Sequence, residues 1–279
     1  DSYTTNTHYS VSQLNVVEAT VLAMVGDDMI LDPGARRWLD EDELPPSAGH
    51  AEFVFRFDVG ADVFMEIWNA DGGQVDACGN ASRCIPWLVM EETGREKITL
   101  ETNAGLLYTQ RKGTHAVAVD MGAPRLDWAD IPLKEYMSTD VIDVKVGPID
   151  APILARPGAV NMGNPHCVFF VDNAETVAAN KIGPMIEFHP LFPQQCNVGF
   201  AEVRTSAEIR LRVWERGVGL TQACGTGACA ALVAANRQKR TGRAAKVIMD
   251  GGNLHIEWRI SDNHVIMTGP VELEKRGTI

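Results

Sequence analysis

Apolar and polar residues alternate along most of this chain, and Gly, Pro, Asn and Asp interrupt the alternation at short intervals. Alternation with a period of two is typical of β-strands, and these four residue types are typical of the turns between them. The chain is therefore predicted to be a β-rich α+β protein. The pattern predicts strands in KITLETNAGLLYTQ, HAVAVDMGAP, HCVFFVD, EIRLRVWERG, AKVIMDGGNLHIEWRI and HVIMTGPVELE.

Two segments, residues 80–92 and 227–238, depart from this pattern because their apolar residues recur at helical spacing. The cysteines that precede them are 224 − 78 = 146 residues apart, about half of the chain. This spacing favours a duplicated architecture with one strand-to-helix junction in each half, against chance similarity as the alternative. Each segment follows a thiol, a glycine and a small residue expected to cap a helix: Cys78-Gly79-Asn80 and Cys224-Gly225-Thr226.

The composition narrows the class of protein. A chain of 279 residues that is 45% hydrophobic and 22% charged is typical of a soluble globular protein, and its length favours two domains. A net charge of -12 argues against nucleic acid or an anionic membrane as the partner and favours a small polar substrate. No stretch of the sequence has the ~20 apolar residues that cross a bilayer, and the first residues do not resemble a signal peptide. We therefore expect a cytoplasmic protein.

The six cysteines are too sparse for a disulfide scaffold. Their spacing in CGNASRC and CGTGAC is wider than in a zinc knuckle, and no histidine lies close by, which argues against a metal site. Cys78 and Cys224 stand at the two predicted helix starts. The other four are expected to be packing residues: Cys84, Cys167, Cys196 and Cys229.

The two thiols suggest a specific chemistry. A helix N-terminus stabilises an anion, and it lowers the pKa of a cysteine placed there. Two facing helix N-termini would bind a carboxylate between two acidic thiols. One thiolate would then remove the α-proton of an amino acid while the opposite thiol supplies a proton to the other face. The N–H groups would stabilise the intermediate, so this two-base epimerisation needs no cofactor in principle.

Other polar residues suit an amino-acid substrate. Glu215 and Arg216 offer a carboxylate for an ammonium group and a guanidinium for a second carboxylate, or they form a surface ion pair at a strand end. Asn164 is a candidate ligand, whereas a lone histidine such as His166 is more often structural. Asn69 is either a ligand or a turn residue.

Five ordered motifs carry a family resemblance: NADGGQVDACGNASRC, NMGNPHC, CNVGF, VWERGVGLTQACGTGACAA and MTGPVE. Together they resemble diaminopimelate epimerase, the pyridoxal-independent family that interconverts LL- and meso-diaminopimelate. The resemblance runs from about residue 61 to about residue 274. It implies that Cys78 and Cys224 are the acid/base thiols. It also implies a set of substrate-binding residues: Asn69, Gly79, Asn80, Asn164, Asn197, Glu215, Arg216, Gly225 and Thr226.

The resemblance also implies an architecture. Two pseudo-symmetric domains, each a β-sheet wrapped around a central helix, would enclose the active site in the cleft between them. The N-terminal domain is expected to comprise residues 1–122 joined by the C-terminal strand 268–279, and the second domain residues 123–267. Members of this family often form dimers, so a homodimer is one expected assembly.

The chain departs from the family in three places, one of which is the G-x-D-Q segment, to which at best Gly49-His50-Ala51-Glu52 corresponds. Its first 60 residues lack the H-G-x-G-N-D-F signature, of which only Asn15 and an apolar tail remain. Pro86 lies inside the first predicted helix, where it removes a backbone hydrogen bond at a cost of ~3 kcal/mol. Either the helix does not begin near Asn80 but later, or the Cys78 side of the site is distorted.

Four functions stay open at this point. The leading one is epimerisation of diaminopimelate. A related amino-acid racemase would use the same two cysteines, and an impaired paralogue would bind an amino acid without converting it. A thiol-disulfide oxidoreductase is disfavoured because neither Cys78 nor Cys224 lies in a C-x-x-C motif.

Overall fold

The structure is a computed structural model. It describes the backbone of residues 7–13, 16–23, 51–58, 61–68, 74–75, 81–103, 105–148 and 150–278. Side chains are described for residues 61–65, 81–103, 105–148 and 150–271.

Three helices and nineteen strands are present in these residues. The helices are α1 (Ala81–Thr93), α2 (Ala179–Glu187) and α3 (Gly225–Arg237). The strands of the first half are β1 (Thr7–Gln13), β2 (Val16–Ala23), β3 (Ala51–Asp58), β4 (Ala61–Trp68), β5 (Gln74–Val75), β6 (Lys97–Thr102), β7 (Gly105–Gly113) and β8 (Ala116–Asp120). The remaining strands are β9 (Lys145–Val146), β10 (Leu154–Ala155), β11 (Gly158–Asn161), β12 (Pro165–Phe170), β13 (Asn197–Thr205), β14 (Glu208–Glu215), β15 (Gly219–Thr221), β16 (Ala244–Met249), β17 (Gly252–Trp258), β18 (Val265–Pro270) and β19 (Glu272–Thr278).

The same pattern of strand pairing occurs twice along the chain. In the first half, β2 pairs parallel with β3, β3 antiparallel with β4, β4 parallel with β6, and β6 to β8 form an antiparallel meander. In the second half, β12 pairs parallel with β13, β13 antiparallel with β14, β14 parallel with β16, and β16 to β18 form the second meander. A helix, α1 or α3, links the parallel pair before each meander. Strand β18 also pairs with β8 and so joins the two halves.

The backbone register repeats with the offset of the two cysteines. Trp68 pairs with Gln74 in the hairpin before α1, and Trp214 pairs with Leu220 in the hairpin before α3. The offsets are 214 − 68 = 146 and 220 − 74 = 146. The predicted α+β fold with two pseudo-symmetric halves is thus confirmed. The domain boundaries after residues 122 and 267 stay a prediction.

Helix α3 is the centre of the second half. It contacts β11 to β14 and β16 to β18, and each residue from Gly225 to Ala235 is buried. A helix that is apolar all round must be enclosed, and its many alanines both favour helix and let strands approach closely. The predicted helix at 227–238 is confirmed, with its start two residues earlier, so Cys224 directly precedes it.

Helix α1 runs from Ala81 to Thr93 and contacts β6, β7 and β8. Pro86 lies inside it, so the alternative of a later start is wrong. The chain accepts the proline because the helix is packed against three strands, and tertiary packing outweighs local propensity. Whether the Cys78 side of the site is distorted concerns residues 76–80, which lie outside the described residues.

Helix α2 was not expected from the sequence. It is short and contains Gly183 and Pro184. It packs against the second-half strands, on the face of the sheet opposite to α3. On β12, Cys167 and Phe169 face the α2 side while Val168 faces α3, so both sheet faces are buried. None of the three described helices has the length and apolarity needed to span a membrane.

Gly183→Ala is expected to destabilise the protein by about 1–3 kcal/mol, because overpacking forces neighbours to move. A Cβ at Gly183 would lie 2.4 Å from the Trp214 side chain. Alanine is otherwise the better helix former, so the clash decides the sign of the effect. Urea unfolding measures the change. Gly242→Ala is the control, since a Cβ there would meet only the Ser206 carbonyl oxygen at 3.9 Å. Equal stability of the two variants would contradict this account.

Candidate active site

Cys224 is the N-cap of α3. Its backbone is extended (φ -140, ψ 110), and its Sγ accepts a hydrogen bond from Gly227 N at 3.4 Å. Its own amide donates to Met249 Sδ at 3.4 Å, and the residue is 4% exposed. The sequence favoured Thr226 as the capping residue, which is wrong: Thr226 lies within the first turn, with Oγ1 3.6 Å from the thiol.

Two backbone donors remain at that helix start. The amides of Gly227 and Ala228 are bonded to Sγ and to the carbonyl oxygen of Cys224. The amides of Gly225 and Thr226 have no acceptor among the described residues. Unpaired N–H groups together with the positive end of the helix dipole form a ready anion site. This is the local geometry that a substrate carboxylate requires.

Glu215 lies directly beside the thiol. Its Oε2 accepts from Cys224 Sγ at 3.2 Å, and its Oε1 accepts from Thr221 Oγ1 at 2.6 Å. Arg216 is exposed, and its Nη1 donates to the Gln194 carbonyl oxygen at 3.0 Å. Glu215 and Arg216 therefore do not form the surface ion pair that was the alternative interpretation. The Glu215 carboxylate is hydrogen-bonded to the Cys224 thiol, and the Arg216 side chain is exposed.

The protonation of the thiol differs from the sequence-based expectation. Burial, followed by the negative charge of Glu215, raises the pKa of Cys224 well above its usual value. Burial likewise raises the pKa of Glu215. Desolvation disfavours the charged form of either group and here outweighs the helix dipole. The expectation that the helix start lowers the pKa of Cys224 is therefore wrong in direction, and Cys224 Sγ donates to Glu215 Oε2.

Asn197 connects the segment around Pro165 to the turn that carries Arg216. Its Nδ2 donates to the Pro165 carbonyl oxygen at 3.1 Å, and its Oδ1 accepts from Arg216 N at 3.0 Å. One N–H of this buried amide remains available to a ligand. Asn164 lies one residue before Pro165 and pairs its Oδ1 with His166 Nε2 at 2.8 Å, which leaves its Nδ2 without a partner among the described residues.

His166 is a neutral structural histidine. It is 1% exposed, and burial, with the charge of Arg216, lowers its pKa from 6.5 to about 3. Because an amide oxygen only accepts, the neutral ring carries its proton on Nε2 and orients the Asn164 amide.

Acid is expected to destabilise the protein through His166. The folded pKa lies below the unfolded one, so the stabilisation is present above pH 6.5 and is lost as the pH falls toward 3. The slope for one proton is about 1.4 kcal/mol per pH unit. Urea unfolding of wild type and His166→Gln at pH 7.5, 6 and 5 measures it, with exposed His255→Gln as the control. The stability gap should shrink with acid for His166→Gln alone, and a constant gap would refute the assignment.

The structure brings together the predicted residues of the second half. Cys224, Gly225 and Thr226 form the helix start, Glu215 and Arg216 the adjoining turn, and Asn164 and Asn197 meet at Pro165. The counterparts from the first half lie outside the described residues: Asn69, Cys78, Gly79 and Asn80. The four cysteines expected to pack are all buried: Cys84, Cys167, Cys196 and Cys229.

Three contributors were missed from the sequence. Thr221 binds Glu215, Met249 accepts the amide of Cys224, and Glu187 accepts from the turn that carries Arg216. Thr221 lies three residues before the thiol in the same motif, which was the available signal. Met249 and Glu187 are distant from their partners in the sequence and come close to them only in the folded chain.

Comparison with known proteins defines the family. A family model described as diaminopimelate epimerase matches residues 37–126 and 158–274, most of the chain. The chain belongs to the diaminopimelate epimerase family. The match begins at residue 37 rather than near residue 61, and residues 1–44 match a separate model described as a domain of unknown function.

Curated relatives in this family are similar over most of their length. A diaminopimelate epimerase from Caulobacter vibrioides (strain NA1000 / CB15N) is 52% identical over 221 residues, 79% of this chain and 77% of that protein. One from Phenylobacterium zucineum (strain HLK1) is 54% identical over 220 residues, 79% of each chain.

Solved structures share the fold at low sequence identity. A hydroxyproline epimerase from Agrobacterium vitis superposes with a TM-score of 0.66 at 16% identity, covering 99% of this chain and 91% of that one. A phenazine biosynthesis protein of the PhzF family from Bacillus anthracis has a TM-score of 0.60 at 15% identity, covering 100% and 99%. The chain thus shares its fold with these proteins.

Proposed function

We propose that this protein epimerises LL-2,6-diaminopimelate to meso-2,6-diaminopimelate without a cofactor, in lysine and peptidoglycan-precursor biosynthesis. The observation that carries the proposal is the 52–54% identity to proteins named diaminopimelate epimerase over about four fifths of the chain. The buried thiol at a helix N-terminus, 3.2 Å from a carboxylate, supplies the matching chemistry.

Substrate binding follows from the donors and charges of the site. The α-carboxylate would be bound by the amides of Gly225 and Thr226, because these N–H groups are free at the positive end of α3. The α-ammonium group would pair with Glu215, and the distal carboxylate with Arg216. The remaining amides, Asn164 and Asn197, each have an N–H to offer. Asn69, Gly79 and Asn80 are proposed to bind from the first half of the chain.

Proton transfer would use one thiolate and one thiol. In the starting form, Cys78 is the thiolate and takes the α-proton from one face of the substrate, and the electron pair passes into the carboxylate as an enediolate. Cys224 is the thiol and gives its proton to the opposite face, which inverts the centre. Cys78 ends as a thiol and Cys224 as a thiolate, so the reverse reaction restores the starting form. Donors aimed at the carboxylate stabilise the enediolate.

Glu215 would couple substrate binding to this transfer. Its charge is one of the causes of the raised pKa of Cys224. A substrate ammonium group beside Glu215 would neutralise that charge, and the Cys224 thiolate would then be less disfavoured. The thiol would give up its proton only when an amino acid is bound.

The proposed domains follow the two repeated halves of the chain. Residues 1–122 with 268–279 and residues 123–267 would form two domains, with the active site in the cleft between them. We propose a cytoplasmic location and a homodimer, with no nucleic acid or membrane partner.

Conversion of LL-diaminopimelate by the reduced protein tests the function. The reaction is followed by chromatography that separates the LL and meso isomers, with L-proline and trans-4-hydroxy-L-proline supplied in parallel. Formation of meso-diaminopimelate alone is the expected result. Binding without conversion would replace the proposal with an impaired paralogue, and conversion of a proline alone would replace it with a racemase.

A further inference from the structure

Glu187 is a buried carboxylate at the C-terminus of a helix, where its negative charge is unfavourable. It is the last residue of α2 and is 3% exposed. The C-terminus of a helix carries partial negative charge, so a carboxylate there is repelled, and burial adds a desolvation cost. Among the described residues it forms no ion pair, and the last turn of α2 contains no basic residue. Its remaining contacts must offset these costs.

Both carboxylate oxygens bind the same short segment. Oε2 accepts from Trp214 Nε1 at 2.7 Å, and Oε1 accepts from Gly217 N at 2.8 Å. The two residues between these anchors are Glu215 and Arg216. Glu187 therefore acts as a clamp, because it accepts hydrogen bonds from the residues on either side of Glu215 and Arg216. In the proposed function, these two residues bind the substrate ammonium group and the distal carboxylate.

The clamped segment is a tight turn. Val218 N donates to the Glu215 carbonyl oxygen at 3.1 Å, and Gly217 has a φ of 74, a left-handed value that favours glycine. Asn197 Oδ1 holds Arg216 N at 3.0 Å from the other side. Glu187 and Asn197 thus bind successive amides of the turn and fix the backbone from which the Arg216 side chain projects.

The clamp requires a carboxylate. Both of its partners are N–H donors, and a carboxylate is the side-chain group with two oxygens that only accept. Glutamine would place an NH2 group against one of these donors, and aspartate is shorter by one methylene. The buried charge is therefore explained by the geometry of its two contacts.

We infer that Glu187 is a positioning residue for substrate recognition, which fixes the Arg216 turn so that the guanidinium meets the distal carboxylate of a dicarboxylic amino acid. The inference rests on the proposed function. Its effect should fall on binding more than on proton transfer, because Glu215 is held independently by Thr221 and Cys224. Among the described residues, the Gln194 carbonyl oxygen is the only hydrogen-bond partner of the Arg216 guanidinium.

Glu187→Gln is the test. Loss of one hydrogen bond to the turn should raise the KM for LL-diaminopimelate about 10-fold, with kcat changed by less than about threefold. Glu202→Gln is the matched control: Glu202 also accepts a main-chain amide, from Ala174 at 3.0 Å, and lies outside the site. Its KM should equal that of the wild type. Equal KM values for the two variants would overturn the inference.

Hydrogen exchange of the turn supplies a readout that does not depend on activity. Amides in residues 214–221 should exchange about 10-fold faster in Glu187→Gln than in wild type, with β16 unchanged. Equal exchange overturns the inference. Faster exchange in a protein that does not convert diaminopimelate supports the clamp and rejects only the proposed function. Glu187→Asp, which keeps the charge but shortens the side chain, serves if Glu187→Gln does not fold and should show the same faster exchange.

Discussion

Cys224→Ser is expected to lower kcat for epimerisation of LL-diaminopimelate by about 10²- to 10⁴-fold, the usual contribution of a positioned acid/base group. A serine hydroxyl is a far weaker acid than a thiol and does not supply its proton in the transition state at neutral pH. Initial rates at saturating substrate, measured by separation of the LL and meso isomers, give the effect.

Cys229→Ser is the matched control for this substitution. Cys229 lies within α3, five residues after Cys224, and is fully buried, whereas the thiol that donates to Glu215 is that of Cys224. The same exchange of sulfur for oxygen should reduce stability there and leave kcat unchanged. A Cys224→Ser variant that retains the wild-type kcat would remove Cys224 from the mechanism.

Glu215→Gln is expected to have the second large effect, on binding and on the thiol together. Removing the charge that pairs with the substrate ammonium group should raise the KM about 10- to 100-fold. Because the negative charge of Glu215 contributes to the raised pKa of Cys224, the same variant should lower that pKa. The rate of alkylation of Cys224 by iodoacetamide at pH 8 should therefore increase.

In a Cys78→Ser background, peptide mass spectrometry measures the alkylation of Cys224 separately from that of the other four cysteines, which are buried as Cys224 is. Glu208→Gln is the control, because Glu208 begins the same strand β14 that ends at Glu215. It should change neither the KM nor the alkylation rate. If Glu215→Gln behaved like Glu208→Gln, Glu215 would have no role in binding or in controlling the thiol.

The local sequence pattern was enough to predict the two helices that follow the cysteines and many of the strands. Alternation predicted β6 to β8, β12, β14 and β16 to β19, and the apolar runs after each Cys-Gly pair predicted α1 and α3. The other strands were not among the predicted segments. Helix α2 was missed because a nine-residue segment containing Gly183 and Pro184 has little intrinsic helix preference. Its stability comes from packing, including the close contact of Gly183 with Trp214, which no local pattern reveals.

The sequence located the candidate site better than it described its chemistry. The motifs around Cys224, Glu215 and Asn197 identified residues that the fold brings together. The pKa of the thiol was predicted in the wrong direction because the helix dipole is visible in the sequence, whereas burial and the charge of Glu215 depend on tertiary structure. Glu187 was missed for the same reason, since 30 residues separate it from Gly217.

Deuterium incorporation during the first turnovers in D2O tests the two-base mechanism most directly. The account predicts that newly formed meso-diaminopimelate carries one deuterium at the inverted α-carbon, while the remaining LL-diaminopimelate carries none. Mass spectrometry of the separated isomers provides both values. Early product that keeps its original α-proton, or exchange into unreacted substrate at the rate of product formation, would indicate a single base and contradict the account.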